Sequence, residues 1–253
     1  GSDNEDNSRQ VLQGTGSGVV VAKGYVLTNY HVVEDASMLE VTSGDNTYSA
    51  TVAGYDESLD LAVLKVEDLP LEPVVLGDSD ALKVGDWAIC IGNPLDFTGT
   101  TTVGVISALN REITSKSTDA YGRKTNNVNR MIQTDAAINA GNSGGGMFNV
   151  AGELVGVPSM KYTGSYYSTS TVEGIGMAIP INAAKPLIEE VLSGKTVSNG
   201  TSADSSKDSS SVAPESRPRM GVKVQTISAS NSGAVAAGAL PTGAYISEVE
   251  KDS

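Results

Sequence analysis

The sequence predicts an all-β fold, a barrel or sandwich closed by one C-terminal helix. Short apolar runs alternate with Gly-, Asn- and Asp-rich turns from Gly14 to Pro180. Glycine is abundant, at 28 of 253 residues, against two Phe and one Trp, so Val, Ile, Leu and Ala must fill the core. Only the stretch after Pro180 has convincing helical periodicity. The length suits one all-β domain of about 200 residues plus something smaller.

Residues 1–13 are polar and read as a flexible arm. Val19–Ala22, a Lys23-Gly24 turn and Tyr25–Thr28 read as a hairpin. Further strands are expected at Leu39–Ser43, Tyr48–Gly54, Leu61–Val66, Trp87–Ile91, Thr101–Ala108, Arg130–Thr134, Met147–Val150, Leu154–Val157 and Gly176–Ile179. Polar interruptions at 110–129 and 161–173 are long enough to be functional loops. The helix is expected to be capped by Asn182, to carry Pro186 in its first turn and to stop at Gly194. Its apolar side is Leu187, Ile188, Val191 and Leu192. The β-rich unit with its closing helix is thus expected over 14–194. Residues 195–216 are Ser-, Asp- and Gly-rich and read as a linker. Residues 217–253 hold two further strand patterns, too few for an independent domain without disulfides or metal.

Composition excludes several classes. A net charge of −13 argues against nucleic acid, whose phosphates would be repelled. One cysteine, Cys90, precludes an internal disulfide; its apolar neighbours Ala88, Ile89 and Ile91 predict a buried, inert thiol. With one Cys and one His, no structural zinc site is expected, and no cofactor is implied. No apolar stretch reaches the about 18 residues of a membrane span. No signal peptide is visible. Gly1-Ser2 reads as an expression remnant, so a natural targeting segment is expected to have been removed.

The one histidine, His31, lies upstream of Gly141-Asn142-Ser143-Gly144-Gly145. That stretch also fits a nucleophile elbow, but an elbow needs its histidine after the serine, and none follows. A Ser–His pair must therefore join Ser143 to His31. An acid between them gives the order His…Asp…Ser of the chymotrypsin-like double β-barrel. A serine hydroxyl is a poor nucleophile until a base takes its proton. An imidazole suits that work near neutral pH. The glycines permit a sharp turn that exposes the hydroxyl and aims N–H groups at one point. Gly141 and Ser143, with Asn142 as a third candidate, could hold an oxyanion. Asp60 is the best orienting acid, because it opens an apolar strand where a buried carboxylate needs a donor. Asp56 and Asp35 are rivals in more polar surroundings.

These pieces together resemble the HtrA/Deg family of serine proteases. The matching segments are Gly14–Val20, Thr28–Val33, Asp60–Val66, Ile91–Pro94, Gln133–Asn139, the Ser143 glycine run and Gly174–Pro180. They cover most of 14–193 in the family's order. Phosphate binding by Gly14–Gly18 is disfavoured, since a strand pattern follows and not a helix.

The resemblance implies a double β-barrel with the site between the barrels. It carries over His31 as base, Asp60 as orienting acid and Ser143 as nucleophile. It places Ala137 and Ile138 at the base of an apolar specificity pocket, with Asn139, Ala140, Ser159 and Met160 also facing substrate. It makes 217–253 look like the opening of a PDZ domain, with Arg217, Met220, Gly221 and Val222 in a carboxylate-binding loop; the remainder of such a domain is missing.

The resemblance further implies unfolded or damaged polypeptide substrates and a homotrimer. An extracytoplasmic bacterial location follows, with the native chain membrane-anchored or secreted. Three departures stand out. Ala140 and Gly146 occupy positions where the family usually has proline, and Pro158 lies in a strand that pairs with substrate backbone in the family. Asn142 carries no charge to pair with a newly cut N-terminus, so activation is expected from ordering of the loops at 110–129, 136–142 and 161–173. The alternative is a chaperone-like or peptide-binding protein of the same fold with a restrained catalytic loop.

Overall fold

The structure, a computed structural model, describes residues 10–93, 99–118, 124–139, 141–162, 174–195, 197–198 and 222–229. The elements are β1 (Gln10–Ala22), β2 (Tyr25–Thr28), the one-turn helix α1 (Tyr30–Val33), β3 (Leu39–Ser43), β4 (Asn46–Asp56) and β5 (Leu61–Val66). They continue with β6 (Trp87–Gly92), β7 (Thr100–Thr118), β8 (Lys124–Thr134), β9 (Gly146–Phe148), β10 (Leu154–Pro158) and β11 (Gly176–Pro180). The helix α2 (Ile181–Leu192) follows, then β12 (Val197–Ser198) and β13 (Val222–Ala229).

The strands form two sheets. The first runs β12-β4-β3-β13-β1-β2-β5, and a further β4–β5 pairing closes the strands from β4 to β5 into a ring, with β12 added alongside β4. The second is a closed barrel, β10-β11-β8-β7-β6-β9. Side-chain alternation explains why both form from short apolar runs. In β1, Val20 faces the interior of the first sheet while Val19 and Val21 face the other way. In β5, Ala62 and Leu64 point inward and Leu61 and Val63 outward. The outward set packs with Phe148, Leu154, Val157, Ile179 and the buried side of α2 in a core shared by the two sheets. A separate cluster, including Ile106, Ile132, Met147 and Ala178, fills the second barrel. Strands buried on both faces need unbroken apolar runs, which is what Leu61–Leu64 provides.

Three expectations are corrected here. The polar stretch 110–129 is largely not a loop: β7 and β8 continue through it as an antiparallel ribbon, paired from Arg111↔Met131 out to Thr118↔Lys124. Backbone pairing sustains the ribbon, so the apolar alternation that flags a core strand is missing. Asn182 does not cap α2. The cap is Pro180, and Asn182 instead donates its N–H to Ser79 Oγ (3.1 Å) and its Nδ2 to Asp78 Oδ1 (2.6 Å). Pro186 therefore falls in the second turn, where it leaves the Asn182 carbonyl without its helical donor. Gly194, at φ +80°, follows the helix end as expected.

The described part of 217–253 is β13, which pairs antiparallel with β1 (Gly18↔Val222 to Gln10↔Ala229) and with β3. Of the expected carboxylate loop, Val222 begins this strand, whereas Arg217, Met220 and Gly221 lie outside the described residues. So do Ala140, 163–173 and most of the 195–216 linker.

Cys90 is fully buried in β6, and burial pushes its thiol up to about 12. A thiol reagent at neutral pH is expected to modify it only after denaturant is added. Stoichiometric labelling of the folded protein would contradict this.

Candidate active site

Strand pairing brings the first two residues together. β2 and β5 are antiparallel with Thr28 opposite Ala62, so the residues just after β2 meet those just before β5. Asp60 turns into β5 with φ +60°, and its carbonyl accepts the N–H of Tyr30 (3.1 Å) and Nδ2 of Asn29 (3.0 Å). Its carboxylate is fully buried. Oδ1 accepts the His31 backbone N–H at 2.9 Å, and Oδ2 accepts His31 Nδ1 and Ser159 Oγ, both at 2.8 Å. These donors offset the burial of the acid. A carboxylate accepts, so the proton belongs on Nδ1 and Nε2 is left as an acceptor. The imidazole is 24% exposed. Glu34, which follows α1, has a carboxyl raised above its usual range by partial burial, with Lys161 the largest opposing influence.

Ser143 lies in the tight turn 141–145, also buried. Its hydroxyl donates to Asn29 Oδ1 at 2.9 Å and accepts the Met160 N–H at 3.1 Å. The amide of Asn29 is oriented by its other bond: Nδ2 must face the Asp60 carbonyl, so Oδ1 faces Ser143 and can only accept. Among the described residues, the His31 ring is bonded to Asp60 and not to Ser143 Oγ.

The N–H groups expected to hold an oxyanion are engaged as well. Gly141 N–H donates to Asn139 Oδ1 (3.0 Å) and Ser143 N–H to the Asn139 carbonyl (3.2 Å). Asn142 N–H reaches both acceptors, at 3.2 and 3.3 Å. The Asn142 side chain is engaged too, with Nδ2 on the Ala137 carbonyl (2.8 Å) and Thr102 Oγ1 of β7 (3.4 Å), and Oδ1 on the Asn139 N–H (3.0 Å).

The other expected substrate residues divide. Ala137 and Asn139 are exposed, and Ile138 is half-buried where a methyl on Gly176 would meet its Cγ1 at 2.5 Å. Met160 is half-buried beside Ser143. Ser159 was expected to face substrate, but its side chain is fully buried and committed to Asp60. Pro158 ends β10, and its carbonyl accepts the Gly144 N–H at 2.9 Å. Sequence reasoning missed Ser17, Asn29 and the double role of Asn139. The only local signal was a polar residue adjoining an apolar strand.

Several glycines around the site, among them Gly92, Gly144, Gly145 and Gly146, are packed too closely for a side chain. At Gly144, φ is +83°, and an added methyl would stand 2.4 Å from the Ser17 carbonyl oxygen. Gly144→Ala is expected to cost about 2–5 kcal/mol, combining left-handed strain of about 1–2 with overpacking of about 1–3. The measurement is Tm, and an unchanged value would contradict it. At Gly146 the space of a Cβ is taken by the Phe148 ring, 2.4 Å away.

Comparison with known proteins supplies the context for this arrangement. Residues 16–157 match the family described as trypsin-like peptidase domain. The chain is 46% identical over 201 residues to the serine protease Do-like HtrA of Bacillus subtilis, covering 76% of this chain and 42% of that protein. It is 42% identical over 196 residues to a probable periplasmic serine endoprotease DegP-like of Chlamydia trachomatis, covering 76% of this chain and 36% of that protein. Among solved structures, an HtrA-type protease AlgW with decapeptide aligns with a TM-score of 0.59 at 36% identity, over 71% of this chain and 52% of that one. The chain thus spans less than half the length of these two curated relatives.

Proposed function

Because the chain belongs to the trypsin-like peptidase family, in its HtrA/DegP branch, we propose that it is a serine endopeptidase acting on polypeptides. The observation that carries this reading is the buried Asp60 carboxylate holding His31 Nδ1 at 2.8 Å beside the Ser143 turn. In the proposed mechanism His31 Nε2 takes the Ser143 proton as Oγ attacks the scissile carbonyl. Asp60 holds the ring in that tautomer and stabilises the imidazolium. The tetrahedral oxyanion is taken by N–H groups of Gly141 and Ser143, with Asn142 as the further candidate. Collapse expels the amine, protonated by His31, and water then hydrolyses the acyl-enzyme by the same steps in reverse.

In the conformation described, Ser143 Oγ gives its proton to Asn29, and Asn139 holds the oxyanion donors. We assign this to a resting state. Substrate must turn the hydroxyl towards His31 and release the N–H groups from Asn139, so activation is a loop rearrangement. In the proposed specificity pocket, Ala137 and Ile138 offer apolar side chains and no carboxylate for a Lys or Arg. A Val, Ile, Ala or Leu before the scissile bond is proposed. A peptide-library profile dominated by basic residues would overturn that assignment.

Unfolded or damaged proteins are the proposed substrates, in an extracytoplasmic bacterial compartment. The periplasmic naming of the chlamydial relatives supports the location, and the peptide-bound AlgW structure supports a polypeptide ligand. A homotrimer and a native membrane anchor or secretion are proposed on family grounds.

The engaged hydroxyl and donors also favour a second reading, a restrained peptide-binding protein of the same fold. A fluorophosphonate probe separates the two. Labelling that is lost in Ser143→Ala supports the peptidase. A folded wild-type protein left unlabelled in the presence of unfolded polypeptide supports the restrained form.

A further inference from the structure

Ser17 lies far from the reacting groups in sequence, yet four hydrogen bonds tie it to the surroundings of Ser143. Its hydroxyl donates to the Gly141 carbonyl, 124 residues away, and accepts the Asn93 N–H at 2.7 Å, 76 residues away. Its backbone N–H donates to the Ser143 carbonyl at 3.0 Å. Its own carbonyl accepts Thr28 Oγ1 at 2.7 Å. The side chain is fully buried.

Alternation along β1 explains the placement. Ser17 shares a row with Val19 and Val21, which face the core between the sheets. It is the polar end of that apolar row, where β1 meets the 141–145 turn. An aliphatic side chain would suit the row equally well on hydrophobic grounds. It would leave a buried carbonyl and a buried N–H without partners.

The effect on the turn is directional. Ser17 captures two carbonyls, those of Gly141 and Ser143, on the β1 side. A C=O shares its peptide plane with the next residue's N–H, so these contacts fix the planes carrying the Asn142 and Gly144 N–H groups and bracket the peptide that carries the Ser143 N–H. The Asn142 N–H accordingly points to Asn139 and the Gly144 N–H to the Pro158 carbonyl, while the bracketed Ser143 N–H and that of Gly141 also rest on Asn139.

We propose that Ser17 is a positioning residue that orients the oxyanion donors of the Ser143 turn. The assignment rests on the peptidase reading for its catalytic consequence, but not for its structural one. Ser17→Ala removes the hydroxyl and keeps the backbone bonds. Because a small misplacement of reacting groups is costly, kcat is expected to fall roughly a hundredfold with KM nearly unchanged. Affinity for a peptidyl boronate, whose tetrahedral adduct uses the same donors, should fall in parallel. Ser17→Thr, which retains a hydroxyl, should recover part of the rate.

Hydrogen exchange supplies a readout independent of catalysis. Amides of Asn142 to Gly145 should exchange faster in Ser17→Ala than in wild type, while those of β5 and β8 stay protected. If the alanine variant does not fold, Ser17→Cys, which keeps a similar size but only a weak donor, carries the same measurements. A folded variant with wild-type kcat, boronate affinity and exchange overturns the proposal. So does a loss confined to KM. An unreactive wild type whose turn still loosens on substitution would instead overturn the peptidase reading and leave Ser17 as the anchor of the turn.

Discussion

Ser143→Ala is expected to lower turnover by on the order of a millionfold, the scale of losing the nucleophile from a working Ser-His-Asp unit. Such groups act together, so removing Oγ leaves His31 with no proton to take. The comparison is kcat on an unfolded polypeptide substrate for wild type and variant at equal concentration, with contaminating protease excluded by fluorophosphonate treatment. The fold should persist. The variant loses two hydrogen bonds, to Asn29 and Met160, and no core volume beyond one oxygen. A variant retaining more than about a thousandth of wild-type activity would show that another group performs the attack.

Asp60→Asn is expected to cost about ten-thousandfold in kcat while leaving the protein folded. The carboxylate accepts three donors, from the His31 backbone, His31 Nδ1 and Ser159 Oγ. An amide in its place has one oxygen and one NH2. Turning the NH2 towards the ring makes Nδ1 the acceptor and moves the proton to Nε2, where it blocks uptake of the Ser143 proton. Turning it the other way sets it against the His31 backbone N–H, a donor facing a donor. An activity within tenfold of wild type would remove Asp60 from the mechanism and reopen Asp56 or Asp35. Asp56 is a poor substitute in the structure, since its Oδ1 caps the Ser58 and Leu59 N–H groups and takes the Ser58 hydroxyl.

Much of the fold was legible in residue order because its signals are local. Val19–Val21, Val26-Leu27 and Leu61–Leu64 mark strands by the spacing of apolar side chains, and each lies in a strand. The ribbon at 110–129 was not legible. Its described side chains are mostly exposed and polar, so its backbone pairing leaves no apolar alternation to read. The helix start was misread for a related reason. Asn182 has the chemistry of a cap, but Asp78 and Ser79, over a hundred residues upstream, compete for it and win. Likewise, nothing local predicted that Val222–Ala229 would lie between β1 and β3.

The sequence by itself determined the candidate site's membership: one histidine, an acid opening an apolar strand, and a serine in a glycine run, in an order that suits one architecture. The close pairing of His31 with Asp60 follows almost directly, because β2 and β5 are adjacent antiparallel strands. Only the tertiary structure decided where the remaining protons and lone pairs go. Ser143 donates to Asn29, the turn's N–H groups rest on Asn139, Ser159 supports Asp60, and Ser17 holds two carbonyls of the turn. Hydrogen bonds require placement to within a few tenths of an ångström and a narrow range of angles. For Ser17, Asn29 and Ser159 the partners are brought together by the docking of two sheets, a geometry that no local run of residues encodes.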